Sequence, residues 1–320
     1  MEKTGRRSLE RLDLSKEPNT EEISFVTEWL ARSNYRVIRP LGKLASYCDA
    51  APPKNVLKIA ILDTETTGFN HDDDKIIELG ILVVEVCPKT GQAFQITGRF
   101  DDFEDPGFPI PEDSFFVHHI TDDMVSGKRI NDCTVESLMS DVSLVIAHNA
   151  DFDRKFVENR FPIFADKAWA CSCDQVPWGE EGIASRKLEF LAYYYGFHYI
   201  GHRALNDCEA LLEVLQQQLP DSGEKPLQAL LQNAKSVDIK VTTLNSPFES
   251  KELLKERGYR WNADRKAWAK CVQKRSLARE SAWLKHYVYG GKGFRLELEK
   301  MTAKNRFSNR PGETEILKVD

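Results

Sequence analysis

Apolar residues along the chain fall into short, separated runs. Residues 56–62 (VLKIAIL) and 144–147 (LVIA) are rich in branched side chains and have the length of buried strands. Residues 151–161 and 204–219 instead place apolar side chains every three or four positions, which is typical of amphipathic helices. The pattern therefore predicts two strands and two helices in this part of the chain.

Shorter patterns flank this region on both sides. Near the N-terminus, Thr20 is a suitable N-cap for a helix over residues 21–31, and residues 35–41 predict a short strand. Toward the C-terminus, helical and alternating patterns predict several further elements. These are helices over residues 226–234, 248–258 and 280–289, and strands over residues 259–261, 267–270 and 294–298.

Length and composition limit the possible number of domains and the possible location of the protein. The chain has 320 residues, of which 41% are hydrophobic, so it is long enough for one large and one small domain. We expect no membrane association and no signal peptide, because residues 1–11 are charged and no apolar run has the length of a membrane span. The seven cysteines are an odd number, and Cys171 and Cys173 form a C-x-C pair without a second pair at zinc spacing. Reduced thiols and a cytoplasmic location are therefore expected.

Acidic residues occupy positions from which they can converge. Asp63 and Glu65 follow the first predicted strand, and they project to one face because side chains alternate along a strand. Asp153 and Asp207 lie off the apolar faces of the two predicted helices. Carboxylate oxygens bind hard cations such as Mg²⁺ or Mn²⁺ rather than zinc, and two such ions can stabilise a phosphodiester displacement. Because clustered carboxylates repel one another, we expect this site to need its two cations.

A histidine lies close to the last of these acids. His202 precedes Asp207, and an imidazole with an ordinary pKa of about 6.5 can take the proton of an attacking water near neutral pH. A solvent-facing loop histidine is the alternative, and the spacing to Asp207 favours the base. His71, which three aspartates follow, is more typical of a solvated loop than of a metal site.

Three segments resemble the exonuclease motifs of the DEDDh superfamily, whose members are 3′→5′ exonucleases and include the proofreading subunit of bacterial replicative polymerase. The segments are Asp63-Thr-Glu65-Thr-Thr-Gly68, His148-Asn-Ala-x-Phe-Asp153 and His202-x-x-x-x-Asp207. The resemblance implies an α/β, ribonuclease H-like domain with a mixed β-sheet flanked by helices, and it suggests the bacterial cytosol. It also implies four metal ligands and one base, which are Asp63, Glu65, Asp153 and Asp207, and His202.

Several roles stay open within this resemblance. Thr66, Thr67 and Gly68 either form only the turn after the strand or also line the pocket for the terminal nucleotide. Phe116–Thr121 resembles the family's sequence between its first two motifs, and His119 within it is a candidate for substrate contact. A structural or capping role is equally consistent with this histidine and with His118. Asp151 falls on a variable position of the second motif, so no catalytic role is carried onto it.

A more local resemblance concerns the C-terminal part. Gly258-Tyr259-x-Trp261, followed by Trp268, is similar to a small module behind DEDDh domains in exonuclease X-like bacterial proteins. Its tryptophans, including Trp283, can stack bases, but in so small a module they are more often core residues. The surrounding basic residues are the candidates for phosphate contact, namely Arg260, Arg265, Lys266 and Lys270.

Charge divides the chain unevenly, although the net charge is only −6. Residues 54–220 carry 29 acidic and 14 basic residues, whereas residues 251–310 carry 17 basic and 6 acidic residues. A basic module can attract a nucleic acid through counterion release, and a solvated basic face is the alternative.

These shifts in composition and the two resemblances predict five parts. They are an N-terminal extension over 1–53 with a disordered start, a short helix and a strand, a DEDDh exonuclease domain over 54–220, a linker helix over 221–236, a small basic α+β module over 237–310, and a tail over 311–320.

The expected function is metal-dependent 3′→5′ exonuclease activity on DNA, acting on single-stranded 3′ ends in repair or proofreading and releasing nucleoside monophosphates. An RNA-trimming enzyme is the alternative in the same class, since nothing in the motifs reads a 2′-hydroxyl. A catalytically silent nucleic-acid-binding or interaction protein is the alternative in another class. A polymerase or repair partner and the oligomeric state are not identifiable from the sequence. Because all five catalytic candidates precede residue 208, deletion of residues 237–320 is expected to leave the active-site chemistry intact.

Overall fold

The computed structural model describes residues 16–17, 19–48, 50–263, 265–310 and 312–320. Most of the predicted disordered start over 1–19, including all of residues 1–11, lies outside the described residues, as does Asp264 between two predicted strands. None of the helices in the described part of the chain is both long and apolar enough to cross a membrane. All seven cysteines are free thiols.

The described residues form eleven α-helices and twelve strands. The helices are α1 (Thr20–Arg32), α2 (Glu112–His118), α3 (Asp122–Val125), α4 (Asp132–Met139), α5 (Ala150–Arg160), α6 (Ser172–Gln175), α7 (Leu188–Tyr194), α8 (Ala204–Leu215), α9 (Pro226–Ala234), α10 (Lys251–Glu256) and α11 (Leu277–Trp283). The strands are β1 (Arg39–Pro40), β2 (Leu57–Thr66), β3 (Ile76–Val86), β4 (Ala93–Phe103), β5 (Leu144–Ala147), β6 (Ala168–Cys171), β7 (Phe197–His198), β8 (Asp238–Thr243), β9 (Arg260–Asn262), β10 (Ala267–Gln273), β11 (Phe294–Met301) and β12 (Thr314–Val319).

The main sheet has the strand order β4-β3-β2-β5-β6. Strands β2, β3 and β4 pair antiparallel, whereas β5 and β6 continue the sheet parallel to β2. Helices cover both of its faces, as shown by two buried clusters of apolar residues on its opposite sides. The predicted α/β, ribonuclease H-like fold with a mixed sheet between helices is thereby confirmed.

The side chains of strand β2 alternate between the two faces of this sheet. Ile59 and Ile61 join the cluster on one side, which we call the first face, and Ala60 and Leu62 join the cluster on the second face. The strand is longer than the predicted 56–62 and runs on to Thr66, so Asp63 and Glu65 belong to it rather than follow it. By the same alternation, these two acids continue the first face and Thr64 continues the second.

Helices α7, α8 and α9 cover the first face. Helix α8 lies very close to the sheet at Gly80, where a Cβ atom would be 2.4 Å from the carbonyl carbon of Ala204 and the backbone nitrogen of Leu205. Only glycine permits this approach, which brings the first turn of α8 onto β2 and β3. Helix α9 was predicted as part of a linker, but its Leu227 and Leu230 are fully buried in the same cluster. It therefore belongs to the core of the main domain.

Helices α4 and α5 cover the second face. Val135 and Met139 of α4 and Phe156 and Val157 of α5 are buried there against the sheet, together with Trp169 of β6. Helix α5 begins directly after β5, so its first turn lies beside the end of β2 that carries the acids.

The N-terminal segment begins with an exposed helix. Helix α1 begins after Asn19, whose side chain accepts the backbone N–H groups of Glu21 and Glu22, while Glu22 accepts the N–H of Asn19. Asn19 is therefore the N-cap, and the predicted cap Thr20 is the first helical residue, because the amide oxygen completes a reciprocal capping box. No residue of α1 is buried. The predicted strand over 35–41 shortens to β1, which pairs parallel with β7.

The C-terminal part forms a second sheet with the order β12-β11-β8-β10-β9, in which all strands pair antiparallel. Trp268 is in its core and Trp283 packs against that core, whereas Trp261 is half exposed. The predicted tail over 311–320 is instead largely edge strand β12, which pairs with β11. Backbone pairing explains this difference, since the side chains of β12 are mostly exposed and give a weak pattern.

Candidate active site

Three carboxylates meet at the end of β2 on the first face. Asp63, Glu65 and Asp207 each offer one oxygen atom, and these atoms all lie within 4.8 Å of one another. Strand alternation supplies the first two, and the close approach of α8 supplies the third from its first turn. The donor set consists of carboxylate oxygens at short mutual distance, which fits a hard divalent cation.

Asp153 reaches the same strand from the second face. Its Oδ1 accepts two hydrogen bonds from Thr64, one from the backbone N–H at 3.1 Å and one from the hydroxyl at 2.9 Å. Asp153 is buried in the first turn of α5 and lies outside the set of three oxygens described above. Thr64 thus fixes one oxygen of Asp153. This role was not predicted, and its one signal in the sequence is the alternation around Asp63 and Glu65.

The protonation of these acids is strongly perturbed. Burial, reinforced by the charges of Asp207, Glu78 and Asp153, raises the pKa of Glu65 to about 8. Burial also raises the pKa of Asp153 to about 7 and that of Asp207 to about 6, although hydrogen bonds to each carboxylate oppose the shift. The pKa of Asp63 lies well above its ordinary value, because it is buried among the other acids. A bound cation would relieve this repulsion.

Asp207 and His202 form the other wall of the site. The Asp207 carboxylate accepts hydrogen bonds from the Tyr199 hydroxyl at 2.9 Å and the Arg203 backbone N–H at 3.1 Å. His202 has a left-handed backbone with φ of 58°, and its side chain is half exposed. Its Nε2 lies 3.5 Å from Glu189 Oε1, and protonation of the ring would lower the pKa of Asp207. The ring therefore stands beside Asp207, open to solvent, on a strained backbone of the kind that gathers at functional sites.

A buried ion pair supports this wall. Glu78 of β3 is opposite Glu65 in the sheet and is fully buried. It accepts hydrogen bonds from the Arg203 guanidinium at 2.8 Å and 3.0 Å and from the Ala204 backbone N–H at 3.1 Å. The pair ties the start of α8 to the sheet. The pair was not predicted, although a single glutamate within the apolar run IIELGILVV is a usable signal for a buried partner.

The residues after Glu65 are engaged within their own turn. The Thr66 hydroxyl donates to the Gly68 carbonyl at 2.7 Å, and the Thr67 hydroxyl donates to Asp74 Oδ1 at 3.1 Å. A Cβ atom at Gly68 would lie 2.4 Å from Asp74 Oδ2, so a larger residue would displace the Asp74 side chain that bonds to Thr67. These contacts favour the turn-forming role, and a further role in holding the nucleotide stays a prediction.

The two neighbouring histidines differ in exposure. His118 is buried, and its Nδ1 accepts the backbone N–H of Ile120 at 3.0 Å, which is a structural role. His119 ends α2 with a left-handed backbone, and its exposed ring contacts Phe115 edge to face. Of the two, only His119 is accessible to a substrate. His71 was predicted to lie on a solvated loop. In the structure it is partly buried, and its Nε2 lies 2.7 Å from Asn309 Nδ2.

The four basic candidates of the C-terminal module fall into two groups. Arg265 forms an ion pair with Glu297 at 2.6 Å, and the Lys270 ammonium donates to the Arg257 carbonyl at 2.7 Å. Arg260 and Lys266 are exposed, and neither has an ion pair within the described part of the chain. All four lie on β9, β10 or the turn between them, whereas the carboxylates lie on the main domain.

Known proteins resemble the domain that holds these carboxylates. A family model described as Exonuclease (RNase_T) matches residues 60–215. The DNA polymerase III subunit epsilon of Treponema pallidum is 30% identical over 162 residues, which cover 48% of this chain and 72% of that protein. The PolC-type DNA polymerase III of Clostridium perfringens is 32% identical over 162 residues, which cover 49% of this chain and only 11% of the polymerase.

A solved structure, exonuclease X in complex with 5′ overhanging duplex DNA, is 24% identical with a TM-score of 0.38 and covers 55% of this chain and 99% of that chain. The matched residues 60–215 include every predicted metal ligand and the predicted base. The epsilon-type relative is matched over most of its own length. On these grounds the chain belongs to the DEDDh 3′→5′ exonuclease superfamily.

Proposed function

We propose that this chain is a metal-dependent 3′→5′ exonuclease that hydrolyses the terminal phosphodiester of single-stranded DNA and releases nucleoside monophosphates. The observation that carries the proposal is the group formed by Asp63, Glu65 and Asp207, whose oxygens converge within 4.8 Å. Their pKa values are raised by burial and by one another, so the group is costly to ionise as it stands. Such an arrangement suits a site that a divalent cation completes.

The four acids are proposed to hold two Mg²⁺ or Mn²⁺ ions. Asp63, Glu65 and Asp207 supply oxygens on the first face, and Asp153 supplies the oxygen that Thr64 leaves free on the second. Bound divalent ions neutralise charge on the attacking and leaving oxygens of an in-line displacement. An all-oxygen donor set favours Mg²⁺ or Mn²⁺ over zinc.

His202 is proposed as the general base. Its ring is exposed beside Asp207, where it can take the proton of the water that attacks the terminal phosphodiester. Glu189, at 3.5 Å from Nε2, orients the ring and stabilises the imidazolium that forms. A histidine carried on a loop beside the acids, rather than among them, remains free to exchange this proton with solvent.

The surroundings of the site support a single-stranded substrate. Phe69 follows the turn at Gly68, Phe116 lies on α2, and Ile200 lies shortly before His202, and all three side chains are more than half exposed. Exposed aromatic and apolar side chains can contact unpaired bases. DNA is proposed because the relatives matched at 30–32% identity are DNA polymerase III proteins. A polymerase partner is suggested by the same names and stays a prediction.

Digestion of labelled oligonucleotides tests the proposal. DNA and RNA strands labelled at the 3′ or the 5′ end are incubated with Mg²⁺, Mn²⁺ or EDTA, and the products are followed over time. The expected result is immediate release of the 3′ label as a mononucleotide, progressive shortening of the 5′-labelled strand, and no reaction in EDTA. Asp153→Asn is expected to remove the activity, whereas Asp151→Asn on the same helix, an exposed residue paired with Lys155 at 3.1 Å, keeps it. Undiminished cleavage in EDTA would contradict the proposal.

A further inference from the structure

Helix α5 carries an unusual arginine next to Asp153. Arg154 is fully buried, and an arginine is rarely buried without partners. Its guanidinium donates to Glu158 of the same helix at 2.6 Å, to the Arg306 carbonyl at 2.6 Å and to the Lys304 carbonyl at 2.7 Å. Two of its three partners therefore come from the far end of the chain.

These partners belong to residues 302–310, which we call the C-terminal strap and which connect β11 to β12. The strap leaves the second sheet and docks on the main domain. The backbone N–H of Trp169, on edge strand β6, donates to the Ala303 carbonyl at 2.7 Å, and the Ser308 hydroxyl donates to the Glu158 carboxylate at 2.6 Å. Phe307 packs against the cluster on the second face. The strap thus covers the open edge of β6 and one side of α5.

The conformation of the strap is held by its surroundings. Phe307 has a left-handed backbone with φ of 69°, which is unfavourable for a bulky residue unless contacts compensate for it. At the other end, the Arg306 guanidinium donates to the Ser236 carbonyl at 2.9 Å and to Asp238 at 3.0 Å. Arg306 therefore connects the strap to the start of β8, while its carbonyl connects the strap to α5.

We propose that the C-terminal strap, acting through Arg154, fixes the first turn of α5 and thereby positions Asp153 for metal binding. The inference rests on the proposed function, because it takes Asp153 as a metal ligand. Thr64 orients the carboxylate from the strand side, and Arg154 locks the adjacent backbone from the strap side. Residues that orient a metal ligand typically change metal affinity by about 10–100-fold when they are lost. Arg154 is thus a positioning residue.

Residues 237–320 contribute contacts beside the active site that the sequence did not predict. Deletion of residues 237–320 was expected to leave the active-site chemistry intact, because the catalytic candidates all lie earlier in the chain. In the structure, the deleted part supplies two carbonyl partners of Arg154. Their loss would take two hydrogen-bond acceptors from the guanidinium directly beside Asp153, so the first turn of α5 would no longer be held from the strap side.

The test compares two arginines of the same helix in the full chain. Arg154→Met removes the contact with the strap. Arg160→Met is the matched control, since Arg160 also forms ion pairs, with Glu104 at 2.7 Å and Asp132 at 2.8 Å, and both of these residues lie outside the strap. Both variants are expected to lower the midpoint of thermal unfolding. Only Arg154→Met is expected to weaken Mn²⁺ binding, by about 10–100-fold in a titration of free Mn²⁺ followed by electron paramagnetic resonance.

Further readouts separate positioning from general stability. For Arg154→Met, kcat is expected to fall at low Mn²⁺ and to recover at high Mn²⁺, with KM for the oligonucleotide unchanged. Arg154→Lys keeps a buried cation with fewer donors and is expected to lie between parent and Arg154→Met in Mn²⁺ affinity. Ser308→Ala removes one strap contact without creating a buried charge, and a few-fold loss of affinity is expected even where Arg154→Met does not fold.

The outcomes are distinct. The inference alone is overturned if Ser308→Ala and either Arg154 variant bind Mn²⁺ as tightly as the parent. In that case only the unfolding midpoint is lowered, as in Arg160→Met. A parent protein that neither binds Mn²⁺ nor cleaves DNA overturns the proposed function together with the inference. Weakened Mn²⁺ binding that is specific to the Arg154 and Ser308 variants supports it.

Discussion

Charge is arranged in opposite ways in the two sheets of this protein. On the main sheet, the oxygens of Asp63, Glu65 and Asp207 converge within 4.8 Å, and the pKa of Glu65 rises to about 8. On the second sheet, Glu297 faces Arg265, and this contact holds the pKa of Glu297 below its ordinary value. One arrangement resists ionisation and the other favours it. The difference separates acids that a divalent cation would stabilise from acids that the protein already pairs with arginine.

The basic C-terminal part illustrates the same distinction. Many of its cations are bound within the protein rather than displayed. The partners of these cations are Glu280 for Arg257, Glu297 for Arg265, Glu299 for Lys240 and Asp238 for Arg306. The excess of basic residues counted along the sequence therefore overstates the charge that is available to a nucleic acid. Arg260 and Lys266, which are exposed, remain the better candidates.

The largest effect is expected from removing one charge of the converging acids. Asp63→Asn keeps the shape of the side chain and should abolish cleavage and weaken Mn²⁺ binding, because an oxygen ligand and a negative charge are lost. The same change should raise the unfolding midpoint of the metal-free protein at pH 8, since it relieves repulsion. Cleavage assays check the loss of activity, and calorimetry in EDTA checks the unfolding midpoint of the metal-free protein. A lower midpoint in EDTA would mean that the acids are already compensated, contrary to the comparison.

The next effect concerns the base beside these acids. His202→Ala should reduce the cleavage rate by about 10²–10⁴-fold while Mn²⁺ affinity is kept, because a general base is lost and no metal ligand is lost. Part of the rate should return at higher pH, where hydroxide replaces the base. Single-turnover rates across a pH series measure both. His198→Ala, an exposed histidine of β7, is the control, and equal rates for the two variants would remove the assignment.

A smaller effect is expected in the pH dependence of stability. In the folded, metal-free protein the pKa values of Glu65, Asp153 and Asp207 are about 8, 7 and 6, all above their ordinary values. The folded state therefore binds more protons than the unfolded chain. The stability contributed by these groups is complete below their ordinary pKa values and is lost as pH rises from about 4 to about 8. The loss is about 1.4 kcal/mol per pH unit for each extra proton.

Comparing the protein with and without metal separates this pH dependence from that of the other titrating groups. The increase in unfolding midpoint on adding Mn²⁺ should grow from pH 5 to pH 8, because the ion replaces the protons that the acids otherwise need. Thermal unfolding with Mn²⁺ and with EDTA at each pH gives the difference directly. A constant difference across this range would contradict the raised pKa values.

The smallest effect distinguishes displayed from paired cations on the second sheet. Arg260→Gln combined with Lys266→Gln should make the salt dependence of oligonucleotide binding shallower by about 0.7 per lost phosphate contact. Arg265→Gln should leave that slope unchanged and cost about 1 kcal/mol of stability, since the Arg265 side of its ion pair is about half exposed. Binding titrations over a salt series decide this. Equal slopes for all three proteins would make the exposed cations a solvated face.

The sequence predicted those features that depend on local periodicity. The strand that carries Asp63 and Glu65 and the helices that carry Asp153 and Asp207 were foreseen, because apolar spacing reports one strand or helix at a time. That the acids would meet followed from the family resemblance. The structure adds the reason, which is that alternation along β2 sends Asp63 and Glu65 to α8 and Thr64 to α5.

Contacts between distant segments could not be predicted in this way. The pair of Glu78 and Arg203 joins residues 125 positions apart, and the bond from Arg154 to Arg306 spans 152 positions. No periodic pattern records such a partnership. Strand β12 escaped prediction for another reason, since an edge strand with exposed side chains is held by backbone hydrogen bonds that residue types do not reveal.

The bond between Arg154 and the C-terminal strap also bears on the timing of synthesis. At about 5–20 residues per second, the 152 positions between Arg154 and Arg306 take roughly 8–30 seconds to translate. Once Asp207 has been made, the nascent chain contains all four acids and His202 but still lacks the carbonyls of Lys304 and Arg306. If the strap positions Asp153 as proposed, the metal site reaches its full affinity only after residues 302–310 have emerged from the ribosome.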